Sequence, residues 1–219
     1  MIAEPTRICV TRHGETDWNL AGILQGWLEV PLNERGRQQA FDLAHAFAGA
    51  GFTRVYTSPL VRSLDTARII ARELRLAPPV AHDGLKERNF GVVQGVPKAE
   101  LAELNPALLR EIVRRNPSCE FEGGESMYDF ADRVLEAIAD IGAREPGAQV
   151  LVITHGWAMD VVARRAKGLP RNTVLHAKPK NGESVWLDVA DGIIRPLPPD
   201  EAAEAACFTL RAGTTPPPR

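Results

Sequence analysis

The 219-residue sequence predicts a three-layer α/β/α sandwich with a mostly parallel central sheet. Three observations predict it. Strand-like and helix-like segments alternate along most of the chain, which is the pattern of a parallel sheet covered on both faces. Ile8-Cys9-Val10 and Val150-Leu151-Val152-Ile153 are unbroken apolar runs that read as buried strands. Each run ends in a polar turn containing histidine, Thr11-Arg12-His13-Gly14 in one case and Thr154-His155-Gly156 in the other. In open α/β sheets that carboxyl edge is where ligands bind, so the two imidazoles are expected to face one anionic group.

The elements follow in order. After the first strand comes a polar loop from Asp17 to Pro31 with Gly22 and Gly26, and Asn33 is the expected N-cap of the first helix. Ala40, Leu43, Ala44 and Phe47 form its apolar face at i, i+3, i+4 and i+7, and Gly49 and Gly51 stop it. Val55-Tyr56-Thr57 reads as the second strand. Ser58 as cap with Pro59 at the first helical position predicts a helix from Pro59 to Leu74. Pro78-Pro79 precedes a short strand near Val80 to His82. Gly84 to Gly124 is irregular, with helical pieces at Lys98–Leu104 and Ala107–Arg115; so long an excursion is expected to cover an active site. Ser126 to Arg144 reads as a long amphipathic helix with Phe130, Val134, Leu135, Ile138 and Ile141 on one stripe. Behind the Val150 strand a helix from Ala158 to Ala166 ends at Gly168-Leu169-Pro170. Ser184–Val189 and Ile193–Arg195, joined by Asp191-Gly192, read as an edge hairpin that could pair with a second copy as a homodimer. Residues 1–211 are read as one domain and 212–219, rich in proline, as a disordered tail.

Bulk properties exclude several classes. Apolar content of 44% and charged content of 25% suit a soluble globular protein. A net charge of −2 gives no reason to expect nucleic acid or a membrane surface as partner, so any positive potential must be local, as in a pocket for a small anion. Cys9, Cys119 and Cys207 are too few and too scattered for a disulfide framework or a zinc site. With no basic-then-apolar leader and no run able to span a bilayer, a cytoplasmic location is expected.

Taken by residue chemistry, His13 is either a loop histidine satisfied by hydrogen bonds or a nucleophile that attacks phosphorus. Arg12 beside it, with its planar fork, suits phosphate oxygens. Arg62, about one turn inside a helix that starts at a strand's carboxyl end, reads alone as a solvated surface arginine; in the same topological position as Arg12-His13 it reads as a phosphate clamp that adds to the field of the helix terminus.

With these companions the chain resembles the histidine phosphatase superfamily, the branch of cofactor-dependent phosphoglycerate mutases and their phosphatase relatives. The matching residues are Arg12-His13-Gly14-Glu15-Thr16, Trp18-Asn19, Gln25-Gly26-Trp27, Pro31-Leu32, Gly36, Gln39-Ala40, Ser58-Pro59-Leu60, Arg62 and Thr66-Ala67. Leu85-Lys86-Glu87, Phe90-Gly91, Gln94-Gly95, Gly123-Gly124-Glu125-Ser126 and His155-Gly156 complete the set over roughly residues 7 to 165.

The resemblance implies a phosphoglycerate mutase-like fold and specific roles. His13 is the residue that becomes phosphorylated. Arg12, Arg62 and His155 form the phosphate pocket, with Asn19 adding a hydrogen bond. Glu87 protonates the leaving alkoxide and then activates water; its bland alternative is a surface charge between Lys86 and Arg88. Gln25, Gly26 and Gly156 contact the substrate. No metal and no cofactor are implied, and the partner is a small phosphorylated metabolite. The short insertion, with Arg114-Arg115 as its only arginine pair, and the early Gly123-Gly124-Glu125-Ser126 resemble the phosphatase relatives more than the mutases. A cofactor-dependent phosphoglycerate mutase is the alternative, and a non-catalytic binding protein of the same fold a more distant one.

Two departures bear on specificity. Trp157 stands where relatives place a small or amide residue, and is expected to narrow the pocket or stack on a substrate ring. Asp160 stands where phosphatase relatives often have arginine, and is expected to weaken binding of highly anionic substrates. His45 and His82 read as surface or structural residues, Met127 and Trp186 as core, and His176 with Lys178 and Lys180 as a solvated basic loop. Gly123-Gly124-Glu125-Ser126 reads either as a substrate-contacting turn or as a loop-to-helix junction capped by Ser126.

Overall fold

A computed structural model describes residues 4–170, 173 and 184–197. Strands β1 (Thr6–Arg12), β2 (Arg54–Thr57), β3 (Val80–Ala81) and β4 (Gln149–Thr154) run parallel, and β5 (Ser184–Ala190) and β6 (Ile193–Pro196) close one end as an antiparallel hairpin. The order across the sheet is β3-β2-β4-β1-β5-β6. Asp191 and Gly192 in the hairpin turn both have positive φ, 52° and 72°, as a two-residue hairpin of this kind demands.

Period-2 alternation sorts the strand side chains between two cores. Cys9, Val55, Leu151 and Ile153 face one side, where α2 (Glu34–Ala46) and α3 (Val61–Glu73) lie with Ala40, Leu43, Ala67 and Ile70 buried. Ile8, Val10, Val150 and Val152 face the other, against α6 (Met127–Arg144) and α7 (Gly156–Ala166). Phe130, Ile138 and Ile141 on the predicted α6 stripe are fully buried, each worth about 1.5–3 kcal/mol of apolar burial. The excursion carries α4 (Lys98–Leu104) and α5 (Pro106–Arg114). It is stitched to the loop after β1: Leu24 N donates to Val96 O, Gly95 N to Leu24 O and Lys98 N to Gly22 O.

Three local expectations are corrected. Within the predicted Asp17 loop, a short helix α1 (Asp17–Leu20) forms. Thr16 and Asn19 make a reciprocal capping box there, which four residues with no apolar period could not announce. Helix α3 begins at Val61 rather than Pro59, because Ser58 does not cap it; Glu29 accepts the Val61 N–H at 2.8 Å instead. Helix α7 begins at Gly156 rather than Ala158, with His155 at its N-cap position. Residues 212–219 and His176, Lys178 and Lys180 lie outside the described residues. No helix among those described is long and apolar enough to cross a membrane.

Candidate active site

Sheet order brings three strand ends together. β4 lies between β1 and β2, so the segments leaving all three carboxyl ends adjoin. His13 N donates to Thr154 O at 3.0 Å, and Ser58 N donates to Ile153 O at 3.0 Å. The His13 and His155 rings meet edge to face with centroids 5.1 Å apart.

Each imidazole is oriented by a specific partner. His13 Nδ1 lies 2.6 Å from Gly14 O. A carbonyl only accepts, so Nδ1 carries the proton and the lone pair sits on Nε2. Burial, with Arg62 and Arg12 adding to it, holds His13 well below the ordinary imidazole value; it is neutral near pH 7 and its Nε2 is free to attack. His155 Nε2 lies 2.8 Å from the hydroxyl of Ser58. Burial followed by Arg62 and His13 keeps His155 neutral as well.

Two arginines supply the positive charge. Arg62 is wholly buried, and its fork is pinned by donation to Gly26 O at 2.7 Å and Leu28 O at 2.9 Å. Burial pulls its guanidinium down to about 10 while Glu87 works the other way, so it stays charged at neutral pH. Arg12 feels the same opposition of burial against Glu87. Arg12 Nε, Arg62 Nε and His155 Nδ1 are buried with no hydrogen-bond partner among the described residues. Buried donors are normally satisfied, so the two arginine N–H groups, whose residues line the cavity, are poised for an anion's oxygens.

Glu87, only 8% exposed, also lines the cavity. Its carboxylate accepts from Arg88 N at 3.0 Å and from Trp157 N at 3.3 Å. Its backbone carbonyl accepts from Trp27 Nε1 at 2.7 Å and Arg133 Nη2 at 3.3 Å. Arg133 also donates to Gly84 O and Lys86 O, and grips Glu125 with two bonds of 2.8 and 2.9 Å. Glu125 further accepts from Asn89 N, and Ser126 caps α6. The Gly123–Ser126 turn is therefore a junction that braces the Glu87 loop, and it does not line the cavity.

The cavity has a volume of about 620 Å³. Of the nine residues the sequence singles out, His13, Glu87, Arg12, Arg62, Asn19, Gln25, Gly26 and Gly156 line it, while His155 lies beneath, packed on His13. The Asn19 carbonyl is engaged by Thr16 N in the capping box, which leaves its amide N–H groups for the cavity. Lys98 and Arg115 also line the wall and escaped sequence reasoning. So did Arg88, which is completely buried and donates to the carbonyls of Cys119 and Glu125. Its carbonyl partners lie 31 and 37 positions away, beyond any local pattern.

Trp157 lines the cavity, and the guanidinium groups of Arg88 and Arg115 lie over its indole at 5.3 and 5.5 Å. Asp160 does not reach the cavity lining; it is fully buried and paired with Arg115 and Arg164. His45 is exposed, and His82 bonds Gly84 N and Asp140, both consistent with structural readings.

Comparison with known proteins places this geometry. The model of the histidine phosphatase superfamily (branch 1) matches residues 8–195. A metal-independent phosphoserine phosphatase of Arabidopsis thaliana is 36% identical over 165 residues, covering 74% of this chain and 69% of that protein. A probable phosphoglycerate mutase, GpmB, of Cronobacter sakazakii is 30% identical over 164 residues, covering 75% and 76%. The solved structure of Bacillus stearothermophilus YhfR superposes with a TM-score of 0.80 at 30% identity, over 86% of this chain and 94% of that one.

Proposed function

The chain belongs to the histidine phosphatase superfamily, branch 1, and from that premise we propose that it is a metal-independent phosphatase that hydrolyses small phosphomonoesters through a phosphohistidine on His13. The observation that carries the reading is the tautomer of His13: Gly14 O holds Nδ1–H at 2.6 Å, so a neutral Nε2 is presented between Arg12 and Arg62.

In the first step His13 Nε2 attacks phosphorus, forming an N–P bond as the P–O bond to the alcohol breaks. Arg12 and Arg62 hold the phosphoryl oxygens, where charge spread over the equatorial positions is stabilised by preorganised donors. Glu87 gives its proton to the leaving alkoxide. In the second step the Glu87 carboxylate takes a proton from water, whose oxygen attacks phosphorus and releases inorganic phosphate with His13 neutral again. Asn19, Gln25, Gly26 and Gly156 contact the substrate around the phosphate. The cavity's size and mixed polar and apolar wall suit a small phosphorylated metabolite.

Lys98 and Arg115 in the wall support one second reading, because two further cations could hold the second acidic group of a bisphosphorylated intermediate. That would make the protein a cofactor-dependent phosphoglycerate mutase, as the GpmB relative is named. Residence in a reducing cytoplasm is part of the main reading, supported by Cys9 and Cys119 being buried free thiols.

Phosphate release from a panel of phosphomonoesters with EDTA present, for wild type beside His13→Ala, tests the proposal. Turnover that survives EDTA and disappears in the variant is expected. Activity retained by His13→Ala overturns the phosphohistidine step, and turnover only of 3-phosphoglycerate in the presence of 2,3-bisphosphoglycerate replaces the phosphatase with the mutase.

A further inference from the structure

Gly156, Asp160 and Arg164 follow one another at four-residue spacing along α7 and so share a face. Asp160 is completely buried in the middle of that stripe. Its Oδ2 is bonded by Arg164, four residues on. Its Oδ1 makes no hydrogen bond among the described residues and faces Arg115 Nη1 at 3.4 Å.

Arg115 comes from the excursion that carries α5. It is the residue at which α5 ends, held in the left-handed region at φ 53°. Such a conformation disfavours a residue with a long side chain by roughly 1–2 kcal/mol, so something must hold Arg115 in place. Its Nη1 donates to Gly156 O at 2.7 Å, and its guanidinium lies over Trp157. A Cβ on Gly156 would stand 3.4 Å from Arg115 Nη2 and 3.6 Å from Arg12 Nε, so Arg115 and Arg12 flank the same backbone atom. Two cations that close repel; Glu87 offsets the charge of Arg12, and the fully desolvated carboxylate of Asp160 is the charge on α7 that faces Arg115.

We propose that Asp160 is a positioning residue that acts through Arg115, fastening the end of the α5 segment onto α7 so that the cavity closes around a phosphomonoester. The latch rests on the phosphatase reading for its functional consequence, though not for its existence. It predicts that Asp160 governs how tightly substrate is held and leaves the chemical step alone. A carboxylate that only stabilised α7 would instead change the fraction of folded protein and leave the Michaelis constant untouched.

The test uses Asp160→Asn, Arg115→Ala and the double variant in the full chain. Steady-state kinetics on p-nitrophenyl phosphate are read beside amide hydrogen exchange across residues 106–115. Asp160→Asn is expected to raise KM about tenfold with kcat within about twofold, and Arg115→Ala to do the same. The double variant is expected to raise KM no further than Arg115→Ala alone, since both single changes break the same Asp160–Arg115 contact. Exchange across 106–115 should quicken in every variant while α6 stays protected. A fall in kcat at unchanged KM, additive losses, or unaltered exchange in 106–115 would overturn the latch. If Asp160→Asn does not fold, Arg115→Ala decides by the same readouts, because it leaves Asp160 paired with Arg164. If wild type turns over no phosphomonoester, the phosphatase reading fails, and the exchange measurement still decides whether the latch exists.

Discussion

Gly36→Ala should disable the site although position 36 lies outside the cavity. Gly36 is in the first turn of α2, whose end packs directly on the segment that follows His13. A Cβ built there would stand 2.1 Å from Glu15 O and 2.6 Å from Glu15 N. Real Cβ atoms stay outside 3.0 Å, so about 0.9 Å of movement (3.0 − 2.1) must come from backbone on one side or the other. The approach is mutual, because a Cβ on Gly14 would stand 2.3 Å from Gly36 O. Intrinsic propensity favours alanine over glycine in a helix by about 1 kcal/mol. Overpacking a rigid contact costs about 1–3 kcal/mol, so the steric effect wins and Tm falls.

The catalytic consequence should be larger than the loss of stability. Glu15 is two residues from His13, and a displacement near 1 Å in a reacting group costs about a hundredfold in rate. Thermal unfolding and kcat on p-nitrophenyl phosphate are measured for wild type, Gly36→Ala and Arg35→Ala, the last an exposed neighbour that gains the same methyl-sized residue without the contact. A Gly36→Ala protein with wild-type Tm and kcat would refute the reasoning, since the two backbones would then be free to move apart at no cost.

Three further outcomes are expected. Ser58→Ala removes the hydroxyl partner of His155 Nε2 and strands a buried group, which costs about 1–3 kcal/mol; kcat should drop about tenfold to a hundredfold, and unchanged kinetics would show that His155 needs no orientation. Glu87→Gln should slow esters with poor leaving groups far more than p-nitrophenyl phosphate, whose phenolate leaves without a proton; equal losses on both would remove Glu87 from the acid role. Because His13 and His155 are held below the ordinary value of 6.5 by burial, the unfolded chain binds more protons than the folded one just below that pH. Stability should therefore rise as pH increases toward about 6.5 and be lost progressively below it. His155→Asn should flatten that slope in Tm measured from pH 5 to 7.5, and an identical slope in wild type and variant would contradict the assignment.

Much of the site was legible because it sits at strand ends. An apolar run followed by Arg-His or by His-Gly fixes both where a strand stops and which residues stand at its edge, so His13, Arg12 and His155 could be named from short-range pattern alone. The α2 and α6 faces were legible because a helical period places them within a few residues of the signal, whereas Arg62 alone reads as a surface arginine and took its place only beside Arg12-His13. Boundaries were less secure where a side chain had a competing partner. Ser58 has the form of an N-cap, yet its hydroxyl is engaged by a histidine 97 residues away, and Glu29 supplies the cap from another loop.

By itself the sequence determined the α/β alternation and the two histidine-bearing edges, because each depends on neighbours in the chain, while Glu87 was singled out through the family resemblance that the motifs carry. Only the tertiary structure decided that β4 inserts between β1 and β2 and so unites those edges. It also decided that Glu125 braces the Glu87 loop through Arg133 rather than meeting substrate, and that Asp160 spends its charge on Arg115 and Arg164. The physical reason is common to all three. A charge or hydrogen-bonding group has no preferred partner along the chain, and whether it faces water, a ligand or another buried charge is fixed by burial, which exists only once the layers have packed.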